Sequence, residues 1–578
     1  MNKAHLLLLL GIIMPLGAWA TSIDVSTNGV PLIYETLPIN EGQSMEAQSM
    51  EAQPMEAQPM NEGQSMNEGR SKEWVDEGYI LEGYSLLNSH NPSGLNILTQ
   101  KSLSKAWMGG ELSKGGLVNY YESDDAFRFS VGARSYFRFN SRIVMRGEIF
   151  YELIHGKNMS GSVFLNPEFQ VFDILEITDE NRGLKKVERY HVNTSLSYNV
   201  YKGLSLGFGF DFVSANYAKM KDLRYSNTCS DMKVDLGLNY DFKRVSIGGT
   251  YHYRKNVEGL AFERFSGGDT HYELLLSYGP FWGKRKSFEE NVGMISSSRI
   301  PIKNILHGGS LQLDIRPNSQ CEFFFEGLLS SRHCDLGHKS PNTILYNTFA
   351  GLEYSATARA LFHLPTQRHA LNFNFVGRSM TSYENVYKIV HHPSGENETI
   401  YYDPKSVSQS HFNSFSLSYR GDFMIRDSIP LVSCKVSARV DDRKCLSTLY
   451  PYWKSEHLLP FYASLYGQGQ IPYRQNLFKI GLALGYSGAF ICQENQGSYI
   501  PNPSQMTPIS SDLMHGRQLE FLTSPQIHLN PSFTYSRSFK HLILSAGLDY
   551  RCSKALTPLL YLRGDFHHCA QLFIELGF

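Results

Sequence analysis

The feature that most constrains this chain is a two-residue alternation of apolar and polar residues, repeated from Ser104 to the last residue. In 204–212 the apolar residues alternate with Ser, Gly and Asp, and 232–240 and 478–486 follow the same pattern. Because successive side chains of a strand point to opposite faces, each such segment has one apolar face and one polar face. The sequence therefore predicts an all-β fold over 104–578.

A soluble β-sandwich would show the same alternation, so three further features decide between a sandwich and a membrane barrel. Many apolar faces end in an aromatic ring, as at Tyr198, Tyr240 and Tyr486, which is typical of interfacial girdles. The opposite faces carry charged and small residues, which suit a polar lumen. Short turns such as 140–141 alternate with long connections such as 157–185, as periplasmic turns alternate with outer loops. These features favour a single antiparallel transmembrane β-barrel.

The number of strands follows from counting the alternating segments. About nineteen are convincing, and an even number is required if both ends of the barrel are periplasmic. We predict about eighteen strands, within a range of about sixteen to twenty, with an extra strand in 283–298 or one segment miscounted. Long outer connections are expected at 157–185, 219–229, 381–408 and 489–523. A barrel of this size encloses a wide lumen unless loops or an inner segment fill it.

Composition adds to this interpretation only once the alternation is recognised. The chain of 578 residues contains 35 Phe, 34 Tyr and 48 Gly but only 5 Trp, an excess that suits aromatic girdles and tight lumen positions. The net charge of −1 gives no electrostatic argument for a nucleic-acid partner. The mean hydropathy of −0.29 argues against a polytopic helical membrane protein.

Residues 1–20 have the three parts of a secretory signal peptide. Lys3 supplies the positive charge, 6–16 is an apolar run, and Ala18 and Ala20 are the small residues of a cleavage site. We therefore predict export, cleavage near Ala20, and a location in the outer membrane of a Gram-negative bacterium. The run is too short for the alternative, an N-terminal membrane anchor.

A low-complexity segment follows the signal peptide and covers 21–84. Within it, 40–70 repeats units such as NEGQSM and EAQPM, which contain too little apolar surface to form a core. We predict a disordered linker, with a Met-rich metal-binding tract as the alternative. Residues 85–103 are a bridge into the barrel, and everything before 104 is too short and too simple for a folded plug domain.

The last strand has the form of an assembly signal. Leu572, Ile574, Leu576 and Phe578 alternate with other residues up to the end of the chain. This resembles the aromatic-terminated last strand that the barrel-assembly machinery recognises, so that machinery and outer-membrane lipid are expected partners.

One group of charged residues is placed by the alternation on the polar face of two neighbouring strands. Its members are Arg128, Arg134, Arg138, Arg146, Glu148 and Glu152. Inward charges in a water-filled barrel select ions or solutes. The alternative is that they form cross-strand ion pairs that satisfy a polar interior.

Motifs of enzymes and cofactor sites do not occur in the sequence. There is no HExxH, GxSxG or P-loop pattern, so we predict a non-enzymatic protein without cofactor or metal. A Ser–His–acid group with members distant in sequence remains an alternative. Of the eight cysteines, Cys445 and Cys492 are the candidate pair for a disulfide, against the alternative of eight unpaired thiols.

Three segments carry a family resemblance: 156–161 (GKNMSG), 221–224 (KDLR) and 251–258 (YHYRKNVE). With them, 85–578 resembles an uncharacterised family of outer-membrane β-barrels from anaerobic gut-type bacteria. The resemblance implies a barrel and an outer-membrane location, and it transfers no catalytic or binding residue. It also implies an uptake receptor or a surface lipoprotein as a possible partner.

Together these observations lead to one functional hypothesis and two alternatives. The first is a barrel that passes, or helps to take up, small polar solutes. The second is a structural or assembly barrel that holds surface partners through its long outer loops. The third is an outer-membrane enzyme whose site the sequence does not reveal.

Overall fold

The computed structural model describes residues 77–265, 271–290, 293–340, 343–393, 397–426, 429–539 and 542–578. The predicted signal peptide, its cleavage site at Ala18 and Ala20, and the Met-containing repeat lie outside the described residues. Nothing in the fold therefore tests those three predictions.

The described chain forms two α-helices and a long series of strands. The helices are α1 (Glu77–Glu82) and α2 (Asp512–Thr523). In chain order the strands are β1 Ser102–Lys114, β2 Asp125–Arg138, β3 Ile143–Met159, β4 Asp173–Glu176, β5 Gly183–Tyr201, β6 Leu204–Lys219, β7 Arg224–Asp241, β8 Val245–Glu263, β9 Glu273–Ser277, β10 Trp282–Ser287, β11 Ile300–Asn318, β12 Cys321–Ser340, β13 Thr343–His363, β14 Gln367–Glu384, β15 Tyr387–His391, β16 Asn397–Tyr401, β17 Lys405–Arg426, β18 Ile429–Leu449, β19 Tyr452–Tyr473, β20 Asn476–Ser498, β21 Ile509–Ser510, β22 Gln526–Ser538, β23 Ile543–Ala555 and β24 Phe566–Gly577. Two short 3₁₀ segments, Leu86–Asn88 and Pro92–Ile97, lie between α1 and β1.

Eighteen of these strands form one closed antiparallel barrel. Each barrel strand pairs with the next barrel strand along the chain, and β1 pairs with β24, so the sheet has no free edge. The predicted fold and strand number are confirmed. Of the two alternatives given for the uneven count, an extra barrel strand in 283–298 is wrong, because β10 lies there and belongs to a separate four-stranded sheet of β4, β9, β10 and β21.

Short turns join the strands at the end of the barrel where β1 begins and β24 ends. Asn140 accepts hydrogen bonds from two backbone N–H groups in its turn, and Asn318 does the same. Asp241 accepts the N–H of Lys243, whose φ of 78° places it in the left-handed region. These are the local bonds that let a strand reverse within a few residues, and they identify this end as the periplasmic end.

Longer connections cluster at the other end of the barrel, the outer end. The three longest are 160–182, 264–299 and 499–525, and 385–404 contains the β15–β16 hairpin. The long connection expected at 219–229 is wrong. Strands β6 and β7 continue through most of it, with Lys219 paired to Tyr225, and leave four residues between them.

On the outer surface of the barrel, large apolar side chains occupy alternate positions along the strands. Large exposed side chains of this kind include Met108, Ile149, Phe208, Leu238, Leu311, Leu329, Phe373, Leu417, Leu465, Leu482, Phe533 and Leu572. Tyr198, Tyr240, Tyr251, Tyr419 and Tyr486 are also exposed, as an aromatic girdle requires. A soluble protein does not expose a continuous apolar band of this size, so the band faces lipid.

The main hydrophobic core lies inside the outer end of the barrel. Along β6 the inward residues change from Gly207 and Asp211 to Val213, Ala215 and Tyr217, which are all buried. The four-stranded inner sheet packs its own apolar residues, among them Ile174, Leu274 and Leu276, against this part of the wall. Burial of apolar surface therefore draws the outer connections into the lumen.

Candidate functional site: the closed lumen

The predicted charge group lies on the inner wall formed by β2 and β3. Arg134 donates to both carboxylate oxygens of Glu148, at 2.8 and 3.0 Å, and Arg146 donates to the same carboxylate at 2.8 Å. Arg128 lies 3.6 Å from Glu152. The structure thus places these five side chains in two ion-paired groups.

Arg138 is separated from the rest of that group. Its guanidinium donates to the backbone carbonyls of Asn96, at 2.8 Å, and Leu98, at 3.1 Å. Arg128 differs in another way, because 48 % of its side chain is exposed although it points inward. The lumen beside Arg128 is therefore wide enough to hold water.

A segment that crosses the periplasmic mouth closes that end of the lumen. We call residues 77–101 the N-terminal strap. At its start, Arg359 donates to the carbonyl of Glu82 at 2.6 Å, and Arg420 donates to the Glu82 carboxylate. The Arg368 guanidinium stacks 3.7 Å from the centre of the Tyr79 ring. Three neighbouring strands, β13, β14 and β17, thus hold α1 against the wall.

The middle of the strap lies on a patch of wall that lacks side chains. A Cβ atom on Gly207 would meet Ser93 N at 2.1 Å, and one on Gly237 would meet the Asn91 side chain at 2.0 Å. Asn91 itself donates to Leu238 O at 2.9 Å. Only glycine lets the strap backbone approach this closely, so the wall is shaped to receive it.

An apolar cluster completes the closure of the periplasmic mouth. Leu81, Leu95 and Leu98 of the strap are at most 6 % exposed. They pack with barrel residues from several strands, which are Leu103, Tyr136, Val144, Ile429, Leu477 and Ile543. Burying each leucine stabilises the closed arrangement by roughly 1.5–3 kcal/mol. Residues predicted to be linker and bridge therefore pack inside this mouth.

The connection between β3 and β5 enters the lumen from the outer end. Its Phe172 ring stacks on Phe349 of β13 at 4.6 Å, and Phe164 packs edge-on against Phe172 at 5.3 Å. These rings are at most 4 % exposed. They fix the connection against the wall and direct residues 166–170, which we call the loop tip, toward the middle of the lumen.

Arginines from several strands surround the loop tip. Arg332 donates to Phe169 O at 2.7 Å, and Arg378 donates to the same carbonyl at 3.3 Å and to Glu168 O at 3.1 Å. Arg443 lies 3.5 Å from the Glu168 carboxylate. Arg254 and Arg332 also place their guanidinium groups 4.6 and 4.2 Å from the centre of the Phe169 ring. An acidic and aromatic dipeptide is thus bound in a basic site within the lumen.

Two of these arginines pair with acidic residues of the wall, and two contact Glu168 of the tip. Arg254 pairs with Asp231 at 2.6 Å, and Arg332 pairs with Glu353 at 2.7 Å. Arg378 and Arg443 instead contact Glu168, through its carbonyl and its carboxylate respectively. Departure of the tip would remove a compensating negative charge from the site.

A group that we call the outer clasp, Asp179, Arg517 and Arg563, ties three outer connections together. Asp179 accepts from Arg517 of α2 at 2.8 Å and from Arg563 at 3.1 Å. Burial raises the pKa of the Asp179 carboxyl, but hydrogen bonds from Arg517 and Ser160 and the two positive charges outweigh it, so the pKa is lowered. The clasp therefore stays ionised at neutral pH.

Among the described residues, Glu456, Glu494 and His515 place potential metal-ligand atoms within 4.8 Å of one another. Lys454 lies beside them, with its ammonium 3.4 Å from His515 Nδ1 and 3.8 Å from Glu494. Since Nδ1 accepts from that ammonium, Nε2 carries the proton and donates to Glu456 at 2.6 Å. These side chains bond to one another, and the Lys454 ammonium supplies the positive charge that a metal ion would otherwise bring.

The remaining predictions concern the last strand and the cysteines. Leu572, Ile574 and Leu576 point outward from β24, and Phe578 is exposed. Their role as an assembly signal stays a prediction. The disulfide expected between Cys445 and Cys492 is wrong, because both thiols are free, one beside Ser408 on the inner face and one exposed. All eight cysteines are unpaired.

Sequence reasoning did not find the strap seat or the arginines around the loop tip. The inward glycines at 207, 237 and 248 were a visible signal, since strands rarely place glycines at neighbouring positions of one face. The arginines left no signal, because their partner lies in a connection without alternation.

The apolar band, the closed antiparallel sheet and the short periplasmic turns define an outer-membrane β-barrel. No α-helix among the described residues is long and apolar enough to cross a membrane. The chain belongs to the family described as "Family of unknown function (DUF6850)", whose model matches residues 92–578. None of the curated proteins compared with the chain matches it.

Solved structures with a similar arrangement include two receptors. The ferric preacinetobactin receptor BauA from Acinetobacter baumannii is 8 % identical with a TM-score of 0.38, over 82 % of this chain and 80 % of that one. The ferric yersiniabactin uptake receptor FyuA from Yersinia pestis is 8 % identical with a TM-score of 0.37, over 83 % of this chain and 81 % of that one.

Proposed function

We propose that this protein is a gated outer-membrane barrel that takes up a small polar solute carrying negative charge. The single observation that carries the proposal is the basic site around the loop tip. Four strands of the wall converge there on Glu168 and Phe169, which belong to a connection that could withdraw toward the outer end. The tip occupies the place that a solute would take.

The charges of the site support an anionic solute. Arg378 donates to the carbonyl of Glu168, and Arg443 lies beside its carboxylate. When the tip leaves, a carboxylate, sulfate or phosphate group would restore the lost hydrogen bonds and the lost charge. A cation would be repelled by the guanidinium groups of Arg378 and Arg443.

The barrel is gated rather than permanently open. The loop tip and inner sheet close the lumen from the outer end, and the strap closes it from the periplasmic end. Uptake then requires both closures to move, and a solute bound in place of the tip would favour movement of the first. Passage through the lumen requires no catalytic group.

Planar-bilayer recording of the purified full chain tests the proposal. Glu168→Gln with Phe169→Gly weakens the loop tip, and Gly207→Ala displaces the strap. We expect the wild type and each closure variant alone to conduct poorly, and the combination to conduct with a reversal potential that favours anions. Adding Arg378→Gln to the combined variant should reduce that anion preference.

Two results would contradict the proposal. One is a combined variant that keeps its β-type circular dichroism spectrum but conducts no better than the wild type. The other is conductance that favours cations. Gly327→Ala serves as the matched control, because an added Cβ at Gly327 meets no atom within 4 Å.

A scaffold for surface partners is the second candidate function. The β15–β16 hairpin extends from the outer end and exposes Ile389, Ile400 and Tyr402. Crosslinking from Ile389 in native membranes should then recover one defined partner, and recovery of none would count against the scaffold.

A further inference from the structure

We propose that the lumen contains a latent serine nucleophile, formed by Ser310, His252 and Asp235, which the N-terminal strap covers. Its substrates would be carboxylic esters small enough to enter the lumen. This inference is separate from solute uptake, since it requires only that the strap can leave its seat.

The three side chains come from three adjacent strands. Asp235 on β7 is the register partner of His252 on β8, and His252 in turn is the partner of Gly308 on β11. Ser310 is two residues further along β11 and so points to the same inner face. The ladder itself therefore brings together three residues that no sequence motif connects.

The distances are those of a nucleophile, a base and an orienting acid. His252 Nδ1 lies 2.6 Å from Asp235 Oδ1, and His252 Nε2 lies 2.9 Å from Ser310 Oγ. Lys233 contacts the other carboxylate oxygen at 3.1 Å, so Asp235 is held ionised with one oxygen toward the histidine. Both bonds fall within the range required for proton transfer between such groups.

The hydrogen-bond partners determine where each proton lies. A carboxylate can only accept, so His252 Nδ1 carries the proton and Nε2 is left as an acceptor. Gln312 Nε2 donates to Ser310 Oγ at 2.6 Å. Ser310 therefore directs its own proton to His252 Nε2, which is the arrangement that activates a hydroxyl group.

The reaction balances with water as the second substrate. Ser310 Oγ forms a bond to the ester carbonyl carbon while its proton passes to His252 Nε2. The bond to the leaving alcohol breaks as His252 returns that proton to the alcohol oxygen. Water then gives a proton to His252 and attacks the acyl group, and Ser310 regains the proton.

The strap explains why this group is covered. Ser310 is 3 % exposed and His252 is 5 % exposed. Asn91 of the strap donates to Gln312 Oε1 at 3.0 Å, and the ring of His90 packs edge-on against His252 at 5.7 Å. His90 is itself held by Glu326 at 3.0 Å. The same residues that seat the strap thus cover the nucleophile.

A buried polar network without chemistry is the competing explanation, and nucleophile reactivity separates the two. The purified full chain in detergent micelles is treated with a fluorophosphonate probe, and the labelled peptide is mapped by mass spectrometry. With Gly207→Ala, which displaces the strap, we expect Ser310 to be labelled at least ten times faster than in the wild type. Hydrolysis of p-nitrophenyl acetate should rise in parallel.

Matched variants in the Gly207→Ala background give the controls. Ser310→Ala and His252→Ala should abolish labelling, and Asp235→Asn should slow it. Ser437→Ala should leave labelling unchanged, because Ser437 is a buried lumen serine bonded to Ser464. If Gly207→Ala does not fold, Gly237→Ala displaces the strap by the contact with Asn91.

The inference is overturned by either of two results in a variant that is folded and whose strap exchanges rapidly with deuterated solvent. One is the absence of label on Ser310. The other is label and hydrolysis that persist in Ser310→Ala. Each result leaves the proposed uptake function intact, because that function is judged by conductance and not by reactivity.

Discussion

Replacing Gly207 by alanine should release the strap from its seat. The added Cβ would lie 2.1 Å from Ser93 N and 2.5 Å from Pro92 C, both backbone atoms that cannot rotate away. Ordinary contact begins at 3.4 Å. The strap must therefore retreat from β6 by about 1 Å or more, because β6 is hydrogen-bonded to β5 on one side and to β7 on the other.

The cost of this retreat follows from the hydrogen bonds that it breaks. Ser197 donates to Ser93 O at 2.8 Å, and Asn91 donates to Leu238 O at 2.9 Å and to Gln312 at 3.0 Å. At about 1 kcal/mol net for each bond, three lost bonds destabilise the seated strap by about 3 kcal/mol. This corresponds to about a hundredfold increase in the unseated population.

Hydrogen–deuterium exchange measured by mass spectrometry tests this number. In the purified barrel, peptides that cover 84–98 should exchange about one hundred times faster in Gly207→Ala than in the wild type, because exchange follows the opening equilibrium. Peptides from β11 and β12 should not change. Gly327→Ala should match the wild type throughout. Unchanged exchange of 84–98 in a folded Gly207→Ala variant would refute the idea that the strap occupies this seat.

Two further predictions concern the outer end. Asp179→Asn should loosen the outer clasp, so that peptides from 160–182 exchange faster. Because the pKa of Asp179 is lowered, the wild-type clasp should be equally protected at pH 7 and pH 5 and should weaken only below the ordinary carboxyl range. Glu122 should behave in the opposite way, since burial raises the pKa of its carboxyl to about 7, although its bond from the Asn119 backbone opposes this. A raised pKa means that the connection 115–124 is most stable at low pH and loses that contribution as the pH rises through about 7. Glu122→Gln should remove this pH dependence, as measured by exchange of 115–124 between pH 5 and pH 8, and a slope that survives the substitution would assign the effect to another group.

Much of the barrel could be predicted from the sequence, because a two-residue period reports directly which face each side chain occupies. The outward positions of Leu238 and Leu482 and the inward position of Glu148 follow from that period alone. The pairing of Arg134 with Glu148 was also accessible, since β2 and β3 form a hairpin and their partners are close in sequence.

Contacts between distant segments could not be predicted in this way. The inner sheet pairs β4 with β9, about one hundred residues later, and neither strand is long enough to show a period. For the same reason the sequence offers an extra barrel strand in 283–298 as one of two alternatives, whereas β10 there belongs to the inner sheet. The group of Ser310, His252 and Asp235 could not be predicted from the sequence, because it depends on the register of three strands and on no local motif.

The strap precedes β1, yet it packs against strands from β1 through β23. A finished barrel offers no side opening, because β1 and β24 are paired along their length. The wall must therefore curl around its own N-terminal segment, or admit it through the periplasmic mouth after closure. In the first case the barrel would never form an open channel through the membrane. The strap would already lie in the periplasmic mouth when β1 pairs with β24.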